Sequence, residues 1–149
     1  MSDITDFLSG EQLENADRVN RLVQVCHSAS REAGWWGAWS AEGRMHPDDV
    51  LEVRRRTRLG LNLVGTKIAL VHSEVSEALE GVRKDKMDEH LPHRKSVEVE
   101  LADAAIRIFD LAGALDLDLG GALVEKMEYN RRRADHKPEA RAAEGGKAF

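Results

Sequence analysis

Thiols are almost absent from this chain. Its one cysteine, Cys26, excludes an intramolecular disulfide and points to a reducing compartment. With one cysteine and no His-Glu-x-x-His stretch, a zinc site is disfavoured as well. Proline occurs three times, at Pro47, Pro92 and Pro138, always outside the strongly periodic segments, so no helix need be kinked by one. Aromatics make up 5% of residues and no segment alternates apolar with polar, which argues against a sheet. No apolar run approaches the roughly 18–20 residues of a membrane span, and the opening MSDITDFLSGEQ lacks the basic and apolar regions of a signal peptide. The expectation is a soluble, cytoplasmic protein with no membrane partner. Neither a Gly-x-x-x-x-Gly-Lys-Ser/Thr phosphate loop nor a glycine-rich dinucleotide fingerprint occurs. Basic residues are outnumbered 22 to 27, for a net charge of -5. That balance argues against a nucleic-acid partner, but not against a polyphosphate ligand bridged by metal cations.

What the chain does hold is helix-forming. Its 149 residues suit a single domain, 1–149, with a core over about 10–134 and an irregular tail, 135–149. Leu13, Ala16, Val19, Val23, Cys26 and Ala29 recur at spacings of three and four, which predicts a helix over 10–33 with Ser9 as N-cap and Gly34 beyond its end. A loop with all three tryptophans follows. Asp48 can cap a second helical stretch, weakened near Gly60 and Gly65 and strongest over 61–83, where Leu63, Ile68, Leu70, Val71, Val75, Ala78, Leu79 and Val82 supply the apolar surface. Residues 84–95 read as a loop, Ser96 opens a third helix that fades at Gly113, and a fourth covers about 119–134. The fold class is all-α, most simply a four-helix bundle.

Two acidic pairs carry the chemistry: Glu74-x-x-Glu77 on the second helix and Glu100-x-x-Asp103 on the third. Residues three apart share a helix face, and here apolar neighbours place that face beside the buried stripe. Four carboxylates gathered without a counter-ion repel strongly. A hard divalent cation such as Mg²⁺, which prefers oxygen ligands, would relieve them and could hold phosphate oxygens and a water. No Glu-x-x-His occurs, which disfavours a di-iron bundle. One such pair alone is usually a solvated helix face. Two pairs on successive helices, each beside an apolar stripe, are less easily dismissed. Glu80 and Glu98 read as solvated, though either could substitute as a ligand.

Lys126, Asn130 and Arg133 share one face of the fourth helix and suit phosphate and sugar oxygens, although basic residues also favour a helix C-terminus on electrostatic grounds alone. Lys67, seven residues before Glu74, lies on the acidic face, to contact phosphate or to neutralise the acids. Trp35, Trp36 and Trp39 can stack on a base or pack in a core or subunit interface; packing is the commoner use of any one of them, and Trp36 is the candidate for base contact. His72 points away from the acids and reads as a packing residue, and His90 and His93 read as exposed loop residues.

With Glu74-x-x-Glu77, a spacer of 22 residues (78–99) and Glu100-x-x-Asp103, the chain resembles the MazG-like branch of the all-α nucleotide pyrophosphohydrolases. That superfamily also holds dimeric dUTPases and phosphoribosyl-ATP pyrophosphohydrolases. The stretch HLPHRKSVEVELADAAIRIFDLAGALDLDLGGALVEKMEYNRRRADHK is similar in detail; the resemblance is strongest over 61–137, and the tail GGKAF is similar to some members. It implies a MazG-type fold assembling across subunits as a homodimer or homotetramer. It implies Mg²⁺, with Mn²⁺ as a substitute, on Glu74, Glu77, Glu100 and Asp103, one of these acids or a neighbour activating water. It implies nucleotide contacts from Lys126, Asn130 and Arg133, and a tail in which His136 and Lys147 could close over phosphates. The implied activity is hydrolysis of a nucleoside triphosphate to monophosphate and pyrophosphate. Specialised dUTP, dCTP or phosphoribosyl-ATP enzymes, a non-catalytic nucleotide- or Mg²⁺-binding regulator, and a nucleic-acid binder using Arg131, Arg132 and Arg133 stand as rivals.

Overall fold

A computed structural model describes residues 8–36 and 58–133. Four helices account for most of them: α1 (Gly10–Glu32), α2 (Arg58–Lys84), α3 (Ser96–Ala114) and α4 (Leu119–Arg132). The described residues contain no strand, only an isolated antiparallel bridge between Met87 and Lys95. The protein is all-α, as the spacing of apolar residues predicts. The expected helical stretch 48–57, Trp39, and the tail with His136 and Lys147 lie outside the described residues.

The helix ends follow local chemistry. At the start of α1, Gln12 N–H donates to Ser9 Oγ at 3.2 Å, while Ser9 N–H donates to Gln12 Oε1 at 2.8 Å. This reciprocal box satisfies two donors that the first turn leaves without partners. At its other end Gly34 adopts φ +79, a left-handed conformation that only glycine takes without a steric penalty. It lets Gly34 N–H reach Arg31 O and Trp35 N–H reach Ser30 O, closing the helix in a Schellman turn. Asp118 caps α4 by accepting from Gly121 N–H.

Packing contacts divide the chain into two compact units: Leu22–Leu117, and the residues up to Arg21 together with those from Asp118 on. In the larger unit α2 and α3 form an antiparallel hairpin. Its core is built from small side chains, Ala78, Ala104, Ala112 and Ala114, with Val23, Leu63 and Trp36. Most of the apolar surface expected for α2 is open to solvent in the single chain: Ile68, Leu70, Val75, Leu79 and Val82 are all exposed, as are Leu101, Ile106 and Ile108 on α3. Periodicity shows that a helix has an apolar face; it cannot show whether this chain or another covers it. Among the described residues no helix is long and apolar enough to cross a membrane.

In the smaller unit the first turns of α1 run antiparallel to α4. Asn20 donates to Asp118 and accepts from Gly120 N–H at 2.8 Å, and Gly120 lies directly against the Ala16 carbonyl. Glu128, 3% exposed, receives Arg131 through Nε at 2.9 Å and Nη2 at 2.8 Å, and Arg132 through Nε at 2.5 Å. Hydrogen bonds from Arg131, then Arg132, hold its carboxyl down to about 2. A depressed carboxyl stabilises the fold above the ordinary value of 4.5 and loses that contribution as pH falls toward about 2. Glu128→Gln is therefore expected to melt several degrees below wild type at pH 7, with the gap closing by pH 2 in circular-dichroism melts. An equal gap at both pH values would refute this account.

Candidate functional site

Antiparallel pairing of α2 and α3 sets the two acidic motifs against each other. Carboxylate oxygens of Glu74, Glu77 and Glu100 lie within 4.8 Å of one another. Glu74 is buried, Glu100 half-buried and Glu77 exposed, so the group opens from the helix interface toward solvent. The Glu100 carboxyl is pushed above its usual range, first by burial and then by repulsion from Glu77, Glu74, Asp103 and Asp88. Asp103 stands close enough to add to that repulsion but outside the tight trio; it is exposed on the wall of a neighbouring cavity. A set of hard oxygen donors under mutual repulsion suits Mg²⁺ or Mn²⁺, while the absence of histidine or cysteine from the group disfavours softer metals.

The neighbouring cavity, of about 330 Å³, is lined by Lys67, Leu70, Asp103, Arg107 and Asp110, with Trp35 and Ser30 from the end of α1 and the turn after it. Asp110 organises its inner end. Its buried carboxylate takes Trp36 Nε1–H at 2.8 Å and His27 Nδ1 at 2.9 Å on Oδ1, and Lys67 Nζ at 3.5 Å on Oδ2. An ionised carboxylate only accepts, so His27 must carry its proton on Nδ1. Lys67 also lies 4.0 Å from the centre of the Trp36 ring, and His27 meets that ring edge-on at 5.6 Å.

Several sequence expectations change in this light. Lys67 is on the expected face, yet the acid it neutralises is Asp110 rather than the trio. Trp36 is not an open platform for a base: it is 4% exposed, its N–H is spent on Asp110 and a cation covers its ring. Packing, the commoner use of a tryptophan, is the one seen. The indole open at the cavity is that of Trp35, 71% exposed. His90 and His93 are exposed, as expected, and so is His72, which the sequence reads as a packing residue. Glu80 pairs with Arg83 and Lys84, and Glu98 with Arg94, so both are engaged by surface cations rather than by the trio.

Lys126, Asn130 and Arg133 belong to the smaller unit. Lys126 and Arg133 flank the Tyr129 ring, at 4.6 and 5.9 Å. Asn130 lines an open cavity of about 630 Å³ with Ser9, Gln12, Met127, Glu128 and Arg131, while its Oδ1 is buried without a hydrogen-bond partner. A buried acceptor left unpaired carries a desolvation penalty.

Sequence reasoning missed Arg107 and Asp110. A signal existed: they follow Asp103 by four and seven residues, and thus share its face. For His27 no signal existed, because it meets Asp110 across 83 residues. Family models, curated proteins and solved structures give no match to the chain.

Proposed function

We propose that the protein is a Mg²⁺-dependent nucleoside triphosphate pyrophosphohydrolase, cutting between the α- and β-phosphates to release monophosphate and pyrophosphate. The observation that carries this reading is the convergence of Glu74, Glu77 and Glu100, from two helices, within 4.8 Å. Glu74, Glu77 and Glu100 would hold the ion, with Asp103 completing the set from beside it. When bound, Mg²⁺ supplies charge neutralisation for the phosphates and a lowered pKa for a water ligand. In this reading Asp103, exposed on the cavity wall and outside the trio, would accept the proton which the attacking water loses. The cavity beside it has room for part of a nucleoside, with Trp35 at its rim to stack on a base. The resemblance adds Lys126, Asn130 and Arg133 as candidates for phosphate and sugar contact. Arg131 and Arg132, needed by a nucleic-acid reading, are occupied by Glu128. The exposed apolar residues of α2 and α3 support assembly as a homodimer or homotetramer, since patches of this kind commonly mark protein interfaces.

The test is a Mg²⁺-dependent assay over all common nucleoside and deoxynucleoside triphosphates and phosphoribosyl-ATP, with products identified. Monophosphate with pyrophosphate is expected, and the preferred substrate then separates a broad enzyme from a specialised one. Release of inorganic phosphate from the γ-position, or tight nucleotide binding without turnover, would replace this reading; the second outcome would favour a regulator.

A further inference from the structure

Arg107 belongs to neither acidic motif, yet it joins the two parts of the site. Glu74 is buried, at 6% exposure, and its Oε1 takes Arg107 Nε–H at 2.6 Å. The arginine side chain itself remains 42% exposed and forms part of the cavity wall with Lys67, Asp103 and Asp110. The residue thus serves a trio carboxylate and also borders the space beside it. A buried carboxylate without a counter-charge is strongly destabilising, and Arg107 supplies that charge to Glu74. A dication on the trio would make the same offer more strongly, and would repel the guanidinium. Lys67, the other cavity cation, is tied to Asp110 and the Trp36 ring. Arg107 has the solvent-facing freedom that Lys67 lacks. Its planar set of donors also matches phosphate oxygens in pairs.

We propose that Arg107 is an exchangeable counter-ion: it neutralises Glu74 in the metal-free site, yields Glu74 to the dication, and turns its guanidinium to the phosphate chain of a nucleotide in the adjoining cavity. The inference rests on the pyrophosphohydrolase reading for its second half. The two roles predict effects of opposite sign, which a merely structural ion pair would not produce.

The test uses the full chain at pH 8, with Mn²⁺ binding followed by electron paramagnetic resonance in the absence of nucleotide. Binding of a non-hydrolysable α,β-imido triphosphate in the presence of Mg²⁺ is measured by calorimetry. Arg107→Gln is expected to bind Mn²⁺ about fivefold more tightly, because a competing cation is gone, and the nucleotide analogue about tenfold more weakly. Arg107→Lys, which keeps the charge but not the fork, should hold Mn²⁺ like wild type and the analogue more weakly. It carries the test if the glutamine variant does not fold. Weaker Mn²⁺ binding in Arg107→Gln, or unchanged analogue affinity in both variants, would overturn the proposal while leaving the wider reading intact. Wild-type protein that binds neither Mn²⁺ nor the analogue would overturn both.

Discussion

Glu100→Gln is expected to abolish turnover, lowering kcat/KM by roughly a thousandfold or more, while making the metal-free protein more stable. Both effects have one cause. The Glu100 carboxyl is pushed upward by burial and by Glu77, Glu74, Asp103 and Asp88. An acid whose folded pKa is raised opposes folding once pH exceeds its unfolded value, and the penalty grows until pH passes the folded one. At pH 7 the carboxyl therefore works against the fold, and a neutral isostere removes that penalty. The same change removes one of three clustered oxygen donors. Thermal melts with and without Mg²⁺ check this: the variant should melt above wild type without metal and show no Mg²⁺-dependent rise. A variant with wild-type turnover and a Mg²⁺-dependent melting temperature would show that the trio is not the metal site.

The second large effect concerns Gly120→Ala. A Cβ at this position would lie 2.1 Å from the Ala16 carbonyl oxygen and 2.8 Å from its carbon. Both are backbone atoms of α1, so no side-chain rotation relieves the clash. The helices must separate, and the Gly120 N–H bond to Asn20 at 2.8 Å goes with them. Overpacking of this kind costs about 3 kcal/mol, which for a chain of this size lowers the melting temperature by roughly 10 °C. Gly65 is the internal control. It lies within α2, and a Cβ there meets nothing within 4 Å. Gly65→Ala should stabilise by roughly 0.5–1 kcal/mol through helix propensity alone. Equal melting temperatures for the two alanine variants would contradict the close α1–α4 approach.

Much of the local structure was legible in the residues themselves. Ser9 announces the start of α1 and Gly34 its end, because capping and left-handed turns depend on a few adjacent side chains; α3 starts at Ser96 as expected, but with Lys95 at its N-cap and no side-chain cap bond. The two acidic pairs were legible too, since three-residue spacing on a helix fixes a shared face; that Asp103 stands outside the tight trio was not. What could not be read was the partner of each face. Val75, Leu79 and Val82 repeat as core residues do, yet lie open in the single chain. Trp36 and Trp35 are neighbours in sequence with opposite fates, one buried and one exposed, because the Schellman turn sends them different ways. The Asp110 cluster draws on His27, Trp36 and Lys67, from segments that no short-range pattern relates.

The α2–α3 hairpin has a kinetic consequence. Its two helices are joined by only the residues 85–95, and a tight turn braces that connection: Asp88 accepts from the N–H groups of His90 and Leu91. Glu74 meets Arg107 across 33 positions, against the 83 between His27 and Asp110. Short loops close at the lowest entropic penalty, and near neighbours along the chain find each other first. The stretch that carries Glu74, Glu77 and Glu100 is thus expected to pair before the distant segments with His27 and Trp36 dock.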